Sequence, residues 1–281
     1  MITSEQHSAG SCLLYRGPKR HTAGTTVDRT RRAAMQRRFY SMSELAYEKA
    51  RHRFPPGEPL LFDESYRLAH LPLVAPDHPD LIPSKAGTDY CMGRYPAARY
   101  GLVVPVSWRD LFASPVFLAL DQALKDATFG AKLNRHINDQ RLQNLHVTIA
   151  GGLAEAGIPA SLRSITSVME KAQFRYRLMG PLIGEKNLGR IYFPAVPQKI
   201  GDIDFFAELQ AAVHRPQTGF YAMGYYHFAE ELTPAEAQEL SAIFREFQDA
   251  VIFEAETDRL GIIATNDDLT LSGRYVELRS F

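Results

Sequence analysis

The sequence predicts an α+β fold in which one architectural unit occurs twice. Three observations carry that reading. A strand, a helix, a histidine-bearing strand, a helix and a strand follow one another between residues 100 and 179. The same order returns between residues 190 and 255, and a histidine falls in the third element of both runs. Residue identity between the two runs is poor, so the duplication is one of architecture. The chain has 281 residues, 45% of them hydrophobic and 23% charged, enough to bury the core of one large domain with an extension.

Three segments follow along the chain. Residues 1–55 form a basic arm. Gly10, Gly17 and Gly24, with scattered Ser and Thr, leave no apolar period up to about residue 40, which predicts a mobile or loosely docked stretch. From Arg16 to Arg53 lysines and arginines far outnumber the acids Asp28, Glu44 and Glu48, so this arm is a candidate contact for nucleic acid; a solvated tail has the same composition. Ser43–Arg53 is read as a short helix. Residues 56–99 are punctuated by Pro56, Pro59, Pro72, Pro76, Pro79 and Pro83, which forbid long regular elements. They keep Leu60, Phe62, Leu71 and Val74, side chains a free linker does not need, so the segment is expected to drape over the main domain.

The main domain is placed at residues 100–281. Leu102–Val106 is a strand. Ser114 and Pro115 supply an N-cap and a first helical position, followed by Phe117, Leu120, Leu124 and Ala127 at helical spacing. Leu145–Ile149 is a strand ended by Gly151-Gly152, residues 159–171 are helical, and Phe174–Met179 alternates as a strand. In the second run Arg190–Val196 is a strand, residues 202–213 are helical, and Tyr225–Ala229 is the strand with the second histidine. Thr233-Pro234-Ala235-Glu236 is a capping box opening a helix with Ala237, Leu240, Ile243, Phe244 and Phe247 on one side. Ala250–Ala255 is a strand, and Leu260–Ile263 with Tyr275–Leu278 forms a closing hairpin.

Whole-chain charge excludes little, because Lys plus Arg and Asp plus Glu are both 32. Cys12 and Cys91 are too few and too distant for a disulfide framework or a metal knuckle, which favours a reducing compartment and cytoplasmic residence. No apolar run approaches the roughly 20 residues of a membrane span, and the N-terminal residues lack the basic-then-apolar order of a secretory signal. Gly151-Gly152 is not a phosphate loop, since no Lys-Ser/Thr follows a glycine-rich fingerprint.

The chemistry is argued from the two histidine strands. Side chains alternate along a strand, so Asn144, His146 and Thr148 share one face while Leu145, Val147 and Ile149 share the other. A polar face on an otherwise apolar strand is costly to bury, which directs it to solvent or to a groove. By the same alternation Tyr225, His227 and Ala229 share a face, opposite Tyr226 and Phe228. A pseudo-twofold between the runs would bring both polar faces onto a shared central cleft. Two imidazoles there suit phosphodiester chemistry: a neutral one accepts a proton from water or a hydroxyl, and a protonated one donates to the leaving oxygen. Thr148 would hold a phosphoryl oxygen. This chemistry requires no metal or cofactor.

Asn144-Leu145-His146-Val147-Thr148-Ile149 resembles the first motif of the two-histidine (2H) phosphoesterase superfamily, the LigT-like RNA 2′,5′ ligases and cyclic phosphodiesterases. His227-Phe228-Ala229 stands at the second motif and departs from it, with Ala229 where Thr or Ser is expected. The resemblance covers residues 100–281. It implies a bilobal, pseudo-twofold domain of antiparallel sheets flanked by helices. It also implies His146 and His227 as the acid/base pair, Thr148 as a phosphate ligand, and a nucleotide or RNA-end substrate carrying a 2′,3′-cyclic or 2′,5′-linked phosphate. Tyr225 is the candidate substitute for the missing hydroxyl. Two readings compete: a binding module that keeps the cleft without catalysis, and an unrelated α+β protein whose histidines are buried structural groups.

Overall fold

A computed structural model describes residues 38–170, 174–200, 203–257 and 259–280; the basic stretch up to Arg37, Cys12, and residues 171, 172 and 202 of the expected helices lie outside them. The chain opens with three short helices, α1 (Tyr47–Ala50), α2 (Glu64–Ala69) and α3 (Leu71–Val74). β1 (Arg94–Pro105), α4 (Trp108–Ala113), α5 (Pro115–Asp126), α6 (Arg135–Arg141) and β2 (His146–Leu153) follow. Then come α7 (Ile158–Met169), β3 (Phe174–Met179), β4 (Leu182–Ile183), β5 (Arg190–Pro197), β6 (Lys199–Ile200) and β7 (Ile203–Asp204). The chain continues through α8 (Phe205–Ala212), β8 (Ala222–His227), α9 (Pro234–Phe247), β9 (Val251–Thr257), β10 (Arg259–Asp267) and β11 (Arg274–Ser280).

The helix starts are fixed locally. Ser107, Ser114 and Asn134 each cap the N-terminus of α4, α5 and α6 by accepting from the N–H three residues on, and Asp204 does so for α8 from Phe206 and Ala207. Thr233 and Glu236 complete the capping box of α9. Helices α4 and α6 escape the sequence pattern because six and seven residues are too few to display an apolar period. The helix expected over Ser43–Arg53 shrinks to α1. β1 begins eight residues before the expected Leu102, in a stretch of mostly outward side chains and shifted register that shows no alternation of hydrophobic residues.

The fold is mixed α+β. Among the described residues nine strands form one sheet with antiparallel neighbours, in the order β11-β10-β1-β2-β8-β5-β3-β9, with β4 on β5. β2 and β8 are adjacent at its centre. The core holds Phe117, Leu120 and Leu124 of α5, Leu240 and Phe244 of α9, and Val147, Ile149, Phe193 and Met223 of the central strands. α5 packs against α9, and α7 against α8.

Residues 38–99 lie against this framework through buried side chains and backbone pairs. Leu60 and Leu232 exchange backbone hydrogen bonds, at 3.0 and 3.1 Å. Asp63 accepts from the N–H groups of Asn187 and Leu188, and the Tyr66 hydroxyl donates to the Phe228 carbonyl at 2.7 Å. The Tyr66 ring seats on Gly189, where a Cβ would overlap it. No helix among the described residues is long and apolar enough to cross a membrane.

Candidate functional site

His146 opens β2 and Thr148 follows it on the same face. Thr148 pairs across the ladder with Ala222 of β8, and its side chain is exposed. His146 is 9% exposed. Its Nδ1 lies 2.6 Å from the Asn144 carbonyl, an acceptor, which assigns the ring proton to Nδ1 and leaves Nε2 with its lone pair. Burial, with the Arg141 and Arg190 guanidinium charges, lowers the His146 pKa to about 4. At neutral pH His146 is therefore an uncharged proton acceptor. Asn144 lies in a 3₁₀ turn ahead of the strand, and its amide donates to the Thr270 and Gly273 carbonyls.

The second histidine strand breaks simple alternation. Tyr192 pairs with Gly224 and Ile191 with Tyr226, so Tyr225 is an extra residue with no partner on β5, a β-bulge. Both tyrosine rings turn to the core side, perpendicular to each other at 4.6 Å and each about 6 Å from the Phe193 ring. Tyr225 also packs on Phe117 and is 3% exposed. The expectation that Tyr225 shares a face with His227 and replaces the missing hydroxyl is thus corrected. Tyr225 is itself the inserted residue, and the bulge turns its ring inward on the same side as Tyr226.

His227 pairs with Arg190 and is fully buried. The His70 ring stacks on it at 5.9 Å, and Tyr66 stacks on His70 at 5.3 Å. Burial and the charges of Arg190 and Arg141 drive the His70 and His227 pKa values far below the ordinary histidine range. No hydrogen bond of full geometry reaches either ring nitrogen of His227, and the Tyr225 backbone only partly offsets the effect of burial. Ala229 has left the strand, and it packs against the apolar cluster of Val74, Ile137 and Leu269. His136 and His214 are exposed.

Arg190 crosses the floor of this region. Its Nη1 donates to His70 Nε2 at 3.2 Å and to the Asp268 carbonyl at 3.3 Å, and its guanidinium carbon lies 5.0 Å from the centre of the Tyr192 ring. Arg141 is 2% exposed, and burial followed by the nearby Arg190 charge lowers its pKa to about 9. Two cavities meet here, sharing Thr148, Gly151 and Arg190. One, of about 480 Å³, is walled by His146, Tyr95, Arg99, Asp267 and Asp268; the other, of about 390 Å³, by Tyr192, Gln210, Arg215, Thr218 and Phe220. His146, Thr148 and Arg190 are therefore together on one cleft, while His227 lies beneath it under His70.

Sequence reasoning missed His70, Arg141, Arg190 and Gly224. His70 is the turn residue between α2 and α3 and Arg141 ends α6, with no motif around either. Arg190 carried a weak signal, a cation at the first position of an apolar strand. No known family model matches the chain, and no curated protein is similar to it.

Proposed function

We propose that this protein is a metal-independent phosphodiesterase of the 2H kind, acting on a nucleotide or RNA end with a 2′,3′-cyclic or 2′,5′-linked phosphate. The observation that carries this reading is a neutral imidazole with a free Nε2, in phase with an exposed hydroxyl, on the wall of a cleft that also presents a guanidinium. A bilobal, pseudo-twofold arrangement is supported by the strand order. The inner strands support it, β1 beside β2 as β5 is beside β8, whereas the third strands of the two runs, β3 and β9, lie side by side beyond β5 and depart from the expected repeat.

In the reaction His146 Nε2 takes the proton of the attacking water, whose oxygen bonds to phosphorus. The P–O bond to the leaving ribose oxygen breaks, and that oxygen takes a proton from the His227 imidazolium once the His70 ring that covers it has moved aside. Burial first, and then the charges of Arg190 and Arg141, hold His227 neutral, so an incoming phosphate anion offsets the second cause and raises its proton affinity. The basic arm is read as an auxiliary contact for a longer nucleic acid, and the chain as a protein of a reducing, cytoplasmic compartment.

A second reading, a module that binds a nucleotide or RNA end without cleaving it, is favoured by His227 lying fully buried and by the apolar setting of Ala229. Incubation with cyclic-phosphate and 2′,5′-linked oligonucleotides in EDTA separates the two. Products that disappear in the His146→Ala variant support catalysis, and binding without products supports the module.

A further inference from the structure

We propose that Arg190 is the phosphate-binding residue that stands in for the hydroxyl absent at Ala229, presented across Gly224 and held in position by His70. This rests on the phosphoester reading of the cleft and adds to it a ligand contact outside the two histidine motifs.

Cross-strand pairing with His227 puts Arg190 on the same face of the sheet as that histidine. Its guanidinium folds back along β8 over Gly224, where a Cβ would overlap Nε, Nη2 and Cζ. Gly224 does not have a left-handed backbone, so no turn demands a glycine there. What demands it is room for the guanidinium. Arg190 thereby reaches from beside His227 to the junction of the two cavities, next to Thr148.

No carboxylate forms an ion pair with Arg190 or Arg141 among the described residues, although Asp267 and Asp268 stand on the same cavity wall as Arg190. Asp267, whose charge acts on Arg141, is engaged by Arg94, Ser272 and the Leu271 N–H. Two guanidinium groups close enough to repel, one of them buried and the other on the cleft wall, are destabilising unless an anion joins them. The available valences agree with that. Nη1 of Arg190 is occupied by His70 and the Asp268 carbonyl, while Nε of Arg190 and Nε of Arg141 are buried donors without partners. Because an arginine only donates, His70 Nε2 must accept, and the His70 proton sits on Nδ1, also buried and unpartnered. A cluster rich in donors and poor in acceptors matches phosphoryl oxygens, which a guanidinium edge grips with two parallel bonds. His70 is a positioning residue: it fixes Nη1 and so aims the Nε edge.

The test is calorimetric titration of the full chain with inorganic phosphate, paired with thermal melting. Arg190→Met is expected to weaken phosphate binding by about tenfold or more, the worth of a charge-assisted contact, without lowering the melting temperature, because a like-charge repulsion is relieved. Gly224→Ala should reproduce the loss with the guanidinium still present. His70→Phe, which keeps the ring stack, should weaken binding, and His70→Gln, which restores an acceptor, should recover it. Arg245→Met, on the exposed side of α9, serves as control. Unchanged phosphate affinity in Arg190→Met, no phosphate binding by the unaltered protein, or parallel loss of affinity and melting temperature would each overturn the proposal. Phosphate binding through Arg190 in a protein that cleaves nothing defeats the catalytic reading alone. Cleavage that survives Arg190→Met defeats this one alone.

Discussion

The imidazoles of His70 and His227 lie nearly face to face, with 26° between their planes, and this stack shuts His227 off from solvent. One ring comes from the proline-punctuated segment and the other from the end of β8. Access to the second histidine is therefore governed by a residue outside the duplicated pattern. His70→Ala is expected to open His227 to carbethoxylation by diethyl pyrocarbonate, followed by peptide mass spectrometry. Equal labelling rates in both proteins would show that His70 is not the cover.

Loss of either imidazole of the acid/base pair tests the chemistry directly. His146→Ala and His227→Ala should each lower turnover of a cyclic-phosphate substrate by about two to four powers of ten, the usual contribution of a positioned acid or base. An unchanged rate in either variant removes that histidine from the mechanism.

The three buried histidines also make stability depend on pH. Folded, His70, His146 and His227 are held uncharged, His146 down to about 4, chiefly by burial. Unfolded, each titrates near the ordinary value of about 6.5. Between these values the unfolded chain binds protons that the folded one refuses, so stability falls as pH drops below about 6.5. Each histidine contributes up to about 1.4 kcal/mol per pH unit in that range and nothing well above it. Urea denaturation at a series of pH values measures the slope, and a His146→Phe variant should flatten it.

Gly189→Ala places a methyl group into the Tyr66 ring. The displaced ring would loosen the Tyr66–Phe228 hydrogen bond and the docking of α2. A destabilisation of about 1–3 kcal/mol is expected, as for other overpacked sites, with faster amide exchange concentrated in residues 64–74. Exchange that rises uniformly across the chain would contradict this local effect.

Much of the fold was legible because its signals are local. Ser114-Pro115 and Thr233 to Glu236 mark helix starts by capping chemistry alone, and Leu145 to Ile149 shows its burial pattern in its letters. The closing hairpin was legible too, since Leu260 pairs with Arg279 and Gly261 with Leu278. The site was legible only on β2, where the strand is regular and His146 and Thr148 keep phase. On β8 the inserted Tyr225 shifts the phase, and nothing in Tyr225-Tyr226-His227 tells which tyrosine is extra; that is decided by the pairing with Ile191 and Tyr192. Arg190 reaches the cleft, with His70 and Arg141 buried behind it, through tertiary packing between segments far apart in the chain, which periodicity does not report.

The bulge at Tyr225 lets β8 carry one ring more than a regular strand would. Deleting that one residue would restore strict alternation with every other pairing intact, Gly224 opposite Tyr192, Tyr226 opposite Ile191 and His227 opposite Arg190. The imidazole would keep its side, and the loss would fall on the core, where the Tyr225 ring packs on Phe117 and Phe193. A single codon thus thickens the hydrophobic interior without moving the histidine beside it.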